Sequence, residues 1–149
     1  MKEILYSKKA RIRSRRNIVQ AYYQWLLNKQ PVSEIIHEFK NDRNELLKAD
    51  LKYFESVLAG MISESENIKS VLIPILDRAE SELDPVENAI LHLGTYELLF
   101  LNDIPEKVII NESIELAKLF GAEESHKYIN GVMDKLTKII RKSAVRKEK

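Results

Sequence analysis

Apolar residues recur along the chain at intervals of three and four positions, the spacing of one face of an α-helix. The first such segment predicts a helix from Ser7 to Asn28, with an apolar seam through Ile12, Val19 and Tyr23. Six further segments repeat the pattern, and no alternating strand pattern of useful length is present. Each is marked by its apolar positions: Ile35, Ile36 and Phe39; Leu47, Leu51, Phe54, Leu58 and Met61; Ile68, Val71, Leu72 and Ile75; Ile90, Leu91, Leu93, Leu98 and Leu99; Ile110, Ile114, Ala117 and Leu119; Ile129, Val132, Met133, Leu136 and Ile140. The pattern predicts an all-α chain of about seven helices.

Helix-start and helix-stop residues separate these segments. Asp84, Pro85 and Glu87 combine an N-cap acid, a proline at the first helical position and an acid in the first turn. The helix that they begin is apolar on most sides, which predicts a central, buried helix. Pro74 predicts a kink or an end in the fourth helix, and Gly121 predicts the end of the sixth.

Charge is distributed unevenly along a chain whose formal net charge is only +1. Residues 1–16 carry +6 and residues 138–149 carry +5, so residues 17–137 carry −10. Such asymmetry lets different surfaces attract opposite partners. The acidic middle is expected to suit a basic protein, although an ordinary solvated surface explains it equally well. Its candidate side chains are Asp84, Glu87, Glu97, Glu106, Glu112 and Glu115.

Two basic ridges border the apolar seam of the first helix. They consist of Lys8, Arg11 and Arg15 on one side and of Lys9, Arg13 and Arg16 on the other. Arginine grips phosphates through its planar guanidinium and stacks on bases, so the ridges favour contact with RNA or DNA over a merely solvated face. The three basic residues near the end of the last helix, Lys138, Arg141 and Lys142, are expected to interact with the dipole of their own helix.

Signals for chemistry are sparse. The chain has no cysteine, which excludes disulfides, thiolate metal sites and a cysteine nucleophile. Glu123, Glu124 and His126 lie close enough in sequence to suggest a metal site, but side chains in a first turn more often interact with the helix dipole. No nucleotide-binding or hydrolase motif is present. We therefore expect a binding module without catalytic residues, metal or cofactor.

The length suits one domain, which we place at residues 1–142. Residues 143–149 form a basic tail that is expected to be disordered. No run of about 20 apolar residues predicts a membrane span, and no signal peptide is evident, so a soluble, cytoplasmic protein is expected.

Several ordered blocks of residues resemble the NusB family of transcription antitermination factors. The opening helix carries Arg15-Arg16-x-x-Val19-Gln20-Ala21-x-Tyr23-Gln24-Trp25. Matching blocks follow at residues 84–91, 96–98, 104–118 and 120–134. Each block alone is a weak signal, whereas their order and spacing together make the resemblance specific.

The resemblance implies two small helical bundles and a role without catalysis. It implies binding of the boxA element of nascent ribosomal transcripts together with a small-subunit ribosomal protein, NusE, within an antitermination complex on RNA polymerase. The family occurs as monomers and as dimers. The implied RNA-binding residues are Arg11, Arg13, Arg15, Arg16, Glu124, Lys127 and Tyr128, and the implied partner contact is Glu87. The alternative is a helical protein–protein adaptor whose basic ends bind nucleic acid non-specifically.

Overall fold

The chain folds into α-helices joined by short connections. The computed structural model describes residues 2–42, 44–121 and 124–148, with side chains described in 8–42, 46–121 and 124–142. Within these ranges there are seven α-helices and no β-strand, which confirms the all-α prediction. The α-helices are α1 (Lys2–Asn28), α2 (Val32–Asp42), α3 (Leu51–Ser63), α4 (Ser65–Leu72), α5 (Pro85–Phe100), α6 (Glu106–Phe120) and α7 (Ser125–Glu148). Short 3-10 helices cover Asn44–Lys48, Ile73–Ile75 and Glu80–Glu82.

The chain divides between Ser63 and Glu64 into two compact units. The first unit contains α1, α2 and α3, and the second contains α4 to α7. This division confirms the two small bundles that the family resemblance implies. None of the described helices has the length and apolarity that crossing a bilayer requires.

The first unit is held by aromatic and aliphatic side chains between its three helices. The rings of Phe39 on α2 and Phe54 on α3 stack with centroids 5.9 Å apart. Tyr22 of α1 is fully buried, and its ring lies 5.5 Å from that of Trp25. Other fully buried side chains of this unit are Ile18, Ile35, Leu58 and Met61. Burying each of these contributes about 1.5–3 kcal/mol relative to exposure.

The buried face of α1 differs from the predicted seam. Val19 is buried, but Ile12 and Tyr23 are only half-buried. The buried face includes Ala10, Ser14, Asn17, Ile18, Ala21 and Tyr22. The prediction was wrong because it followed only the large apolar residues. A small polar residue such as Ser14 is buried here because its side chain finds a partner: Ser14 Oγ donates to the Asp50 carbonyl at 2.7 Å.

The predicted third helix begins later than its apolar spacing indicates. Leu47 belongs to the 3-10 helix Asn44–Lys48, and 77% of its surface is exposed. The α-helix begins at Leu51, where the Asp50 carboxylate accepts a hydrogen bond from the backbone N–H of Tyr53 at 3.1 Å. This is an N-cap interaction, and it fixes the start of α3. Pro74 has its predicted effect, because α4 gives way to a 3-10 turn there.

Helix α5 is the centre of the second unit, as predicted. Nine of its sixteen residues are buried, including Ile90, Leu91 and Leu93. At Gly94 a Cβ atom would lie 2.7 Å from Met133 Sδ of α7 and 3.1 Å from Ser113 Oγ of α6. The missing side chain therefore allows two neighbouring helices to approach α5 at one level.

Both ends of α5 have side-chain partners. At the start, the Asp84 carboxylate accepts hydrogen bonds from the amides of Val86 at 2.9 Å and Glu87 at 3.3 Å, as the sequence predicted. At the other end, Arg141 Nε donates to the Leu98 carbonyl at 3.1 Å. Its Nη2 lies within 3.3–3.5 Å of three further carbonyls, those of Glu97, Leu101 and Ile104. Arg141 thus compensates the dipole of α5, and the prediction that it serves its own helix was wrong.

Helix α7 extends through most of the predicted tail. Its backbone is helical to Glu148, while the side chains of residues 143–148 and all of Lys149 lie outside the described residues. The boundary of a single domain at residue 142 and the disorder of the tail stay predictions.

We expect Arg141→Ala to lower the free energy of unfolding by about 1–3 kcal/mol, because the carbonyls at the end of α5 lose a charged donor. Urea denaturation measures this value. Lys138→Ala, which removes an exposed charge from the same helix, serves as the control and is expected to change it by less than about 0.5 kcal/mol. Equal losses in the two variants would contradict this role of Arg141.

Candidate functional site

The basic residues of α1 differ widely in exposure. Lys8 and Lys9 are exposed, Arg11, Arg13 and Arg16 are half-buried, and Arg15 is only 3% exposed. The two predicted ridges are therefore not equivalent. The ridge through Arg11 and Arg15 lies against the body of the first unit, whereas Arg13 has no ion-pair partner in the part of the chain that the structure describes.

Two of the predicted arginines pack on the ring of Tyr53, at the start of α3. The guanidinium carbon of Arg11 lies 4.4 Å from the ring centroid, and that of Arg15 lies 5.5 Å from it. Tyr53 is itself buried, so the ring is a fixed surface. Cation–π attraction of this kind stabilises each guanidinium by about 0.5–2 kcal/mol.

Asp50 connects the same cluster to the backbone of α1. Its Oδ2 lies 3.9 Å from Arg11 Nη2. Its amide donates to the Ala10 carbonyl at 3.2 Å, and its own carbonyl accepts a hydrogen bond from Ser14 Oγ at 2.7 Å. One residue thus caps α3, aligns α1 with it and places a carboxylate beside Arg11. The orientation of the arginines follows from the packing of the two helices.

The other predicted RNA-binding residues lie at the start of α7 in the second unit. Glu124 and Lys127 form an exposed ion pair with atoms 3.2 Å apart. Such a pair is worth little in water, so both groups remain available to a ligand. Tyr128 is half-buried, and the guanidinium carbon of Arg78 lies 4.2 Å from the centroid of its ring.

Arg78 and Asp77 form an ion pair beside Tyr128. Arg78 Nε donates to Asp77 Oδ1 at 3.0 Å. This hydrogen bond lowers the pKa of Asp77 below its ordinary value and raises that of Arg78. Burial raises the pKa of the Tyr128 hydroxyl. At neutral pH the cluster therefore contains a carboxylate, a guanidinium and a neutral phenol.

Glu87, the predicted partner contact, belongs to the same neighbourhood of the second unit. Its Oε1 accepts a hydrogen bond from Ser125 Oγ, at the first residue of α7. The carboxylate also contributes to the electrostatic environment of Arg78 and Tyr128. The structure thus brings Glu87 and Tyr128 together, although the sequence assigned them to different ligands.

Four residues that help to form these clusters were not predicted from the sequence. Asp50 carries the signal of an N-cap acid directly before the apolar residues of α3, which marks a helix start. The contacts of Asp50 and Tyr53 with Arg11 join residues about forty positions apart, so the spacing of residues along the sequence does not indicate them. Asp77 and Arg78 follow α4 in a segment without periodicity, and nothing in the sequence indicates their contact with Tyr128.

Two other predictions concern a metal site and the acidic surface. Of the candidate metal ligands, Glu123 lies outside the described residues, and no metal-binding group of side chains occurs among those that are described. The acidic surface was predicted to include Glu97, but this residue is only 1% exposed. That prediction was wrong because Glu97 lies on the buried central helix, where position in sequence does not show exposure.

The chain is similar to known proteins over most of its length. A family model described as the NusB family matches residues 12–138. The transcription antitermination protein NusB of Shewanella frigidimarina is 49% identical over 128 residues, which cover 86% of this chain and 95% of that protein. A solved structure of T. maritima NusB is 28% identical, with a TM-score of 0.74, covering 85% of this chain and 89% of that one.

A second solved structure supports the same fold. It contains the antitermination factors NusB and NusE in complex with dsRNA, and the matched chain is 22% identical with a TM-score of 0.73. The match covers 88% of this chain and 98% of that one. At this identity the similarity concerns the fold.

We expect Arg15→Glu to lower the free energy of unfolding by about 2–4 kcal/mol, because it places a carboxylate in a buried position against an aromatic face. Arg13→Glu, at a half-buried position on the same helix, is expected to lower it by less than about 1 kcal/mol. Urea denaturation of both variants measures the difference. Similar values for the two would show that the 3% exposure of Arg15 does not govern its contribution.

Proposed function

The chain belongs to the NusB family, and on that premise we propose that it binds boxA-type RNA together with the ribosomal protein NusE. In this role it is an adaptor without catalytic residues, which joins an antitermination complex with RNA polymerase in the cytoplasm. The observation that carries the proposal is the basic surface of α1, where arginines are oriented on the ring of Tyr53.

The exposure of each arginine of α1 determines whether it contacts the RNA directly or supports a neighbouring arginine. Arg11, Arg13 and Arg16 retain accessible surface, so they contact phosphates directly. Arg15 has little surface to offer a ligand, so it adds positive potential and supports Arg11 through the shared ring. Lys8 and Lys9 extend the basic surface by one turn. This surface binds the backbone of the RNA and contributes most of the salt-dependent affinity.

The start of α7 supplies the second RNA contact and lies beside the protein contact. Lys127 and Tyr128 offer a cation and an aromatic ring, the groups that recognise unpaired nucleotides. Glu87 faces the basic ribosomal protein from the neighbouring start of α5. Its hydrogen bond with Ser125 couples the two contacts, because a change at Glu87 alters the residue from which α7 begins.

Titration of fluorescently labelled boxA RNA tests the proposal. We expect tighter binding to boxA than to a scrambled sequence, and tighter binding still when NusE is added. Arg13→Glu combined with Arg16→Glu is expected to weaken binding and to reduce the slope of log K against log salt by about 1.4, the value for two phosphate contacts on a single strand. Lys107→Glu on α6, an exposed position, controls for net charge.

Equal affinity for both RNAs, with and without NusE, would refute the proposal. If the arginine variants lost RNA binding equally for boxA and scrambled RNA while NusE binding persisted, the non-specific adaptor would be the correct interpretation. Unfolding free energies of all variants show whether any loss reflects folding instead.

The ring of Tyr53 generates a separate prediction. Tyr53→Phe retains the aromatic face and is expected to keep RNA affinity within about twofold. Tyr53→Leu loses that face, so Arg11 and Arg15 are no longer oriented, and we expect affinity to fall about three- to tenfold. The same RNA titration measures both, under conditions where each variant is folded. Equal affinities in the two variants would show that the ring does not position the arginines.

A further inference from the structure

Arg78 belongs to no residue set that the sequence assigned, and its surroundings are unusual for a surface arginine. It lies between the 3-10 helices Ile73–Ile75 and Glu80–Glu82, outside the seven α-helices. Its guanidinium is held by the ring of Tyr128 on one side and by the carboxylate of Asp77 at Nε. Even so, its side chain keeps 43% of its surface exposed.

The donors of Arg78 that point away from Asp77 remain available. Among the described residues, neither η nitrogen has a hydrogen-bond partner. A guanidinium has two faces, and the ring of Tyr128 covers one of them. The residue therefore presents a fixed plane with free N–H groups along its edge.

We infer that Arg78 is an RNA-binding residue whose guanidinium, stacked on Tyr128, receives one unpaired base of the RNA. Unpaired bases stack on aromatic rings and on arginine planes, and the η nitrogens reach the base edge or the adjacent phosphate. The inference rests on the proposed function, because it assigns to the contact at α7 a residue from a different segment of the chain.

The charges around Arg78 indicate that stacking, rather than electrostatic attraction, contributes most of the RNA affinity at this site. Arg78 and Lys127, the cation next to Tyr128 in the sequence, each have an acidic partner, Asp77 and Glu124 respectively. Glu87 adds a third negative charge nearby. A cluster with this balance does not attract a polyanion strongly at long range. Binding here should therefore depend on the base and only weakly on salt, in contrast to the surface of α1.

Titration of labelled boxA RNA with the 149-residue chain tests the inference. We expect Arg78→Ala to weaken binding about tenfold, with little change in the salt slope. Arg78→Lys keeps the positive charge but lacks the planar guanidinium. We therefore expect its loss of binding free energy to be more than half of that caused by Arg78→Ala. Asp77→Asn keeps an oxygen that can accept from Arg78 Nε but removes a negative charge beside the RNA, so it is expected to tighten binding about two- to threefold. Lys107→Ala, an exposed charge on α6, is the matched control and should bind like the unmodified chain.

Single abasic substitutions in the RNA provide a readout that a merely structural role would not change. One abasic position should weaken binding to the unmodified chain by about the same factor as Arg78→Ala. The same abasic RNA should then bind Arg78→Ala without a further loss, because the base and its plane form one contact. Losses that simply multiply at every position would overturn the inference.

Two further outcomes separate the inference from its premise. If the double substitution at Arg13 and Arg16 weakens RNA binding while Arg78→Ala does not, the proposed function stands and the inference fails. If neither has an effect, the proposed function fails. If Arg78→Ala lost NusE binding while its RNA affinity was unchanged, the guanidinium of Arg78 would be a contact for NusE. That result would also overturn the inference.

Discussion

Helix ends are the constraint on which both units depend. Every α-helix leaves four amides at its start and four carbonyls at its end without partners inside the helix. Here some of these groups find partners that also connect one helix to another. Asp50 caps α3 while its backbone bonds to α1, and Arg141 of α7 reaches the carbonyls at the end of α5. Satisfying a local requirement thus fixes which helices are neighbours.

The same helix ends also position the side chains that are proposed to bind a ligand. The carboxylate that caps α3 also lies beside Arg11, and the ring that follows it orients two guanidiniums. In the second unit, Glu87 lies in the first turn of α5 and binds the first residue of α7. Each surface therefore derives its geometry from the ends of helices, which are better defined than loops because backbone hydrogen bonds determine them.

Features that depend on interactions within one or two helical turns were predictable from the sequence, whereas contacts between distant residues were not. The start of α5 was predictable because Asp84, Pro85 and Glu87 act within one turn. The central position of α5 was predictable because its apolar residues surround the helix. The role of Arg141 was not, because its partners lie about forty residues away and are backbone carbonyls, which any sequence supplies. The contacts of Tyr53 with Arg11 and of Arg78 with Tyr128 also escaped prediction, because the paired residues lie about forty to fifty positions apart in the sequence.

The packing of Arg11 on Tyr53 also has a kinetic consequence. A flexible side chain that becomes ordered on binding loses conformational entropy worth about 0.5–1.5 kcal/mol. A guanidinium already seated on an aromatic ring has lost much of that freedom during folding. The smaller entropy loss on binding does not accelerate the diffusional encounter, because that encounter depends on long-range charge. It lengthens the lifetime of the complex instead. In the proposed RNA-binding role, a stacked arginine would therefore prolong residence on a transcript, while exposed lysines such as Lys8 and Lys9 would set how quickly the transcript is found.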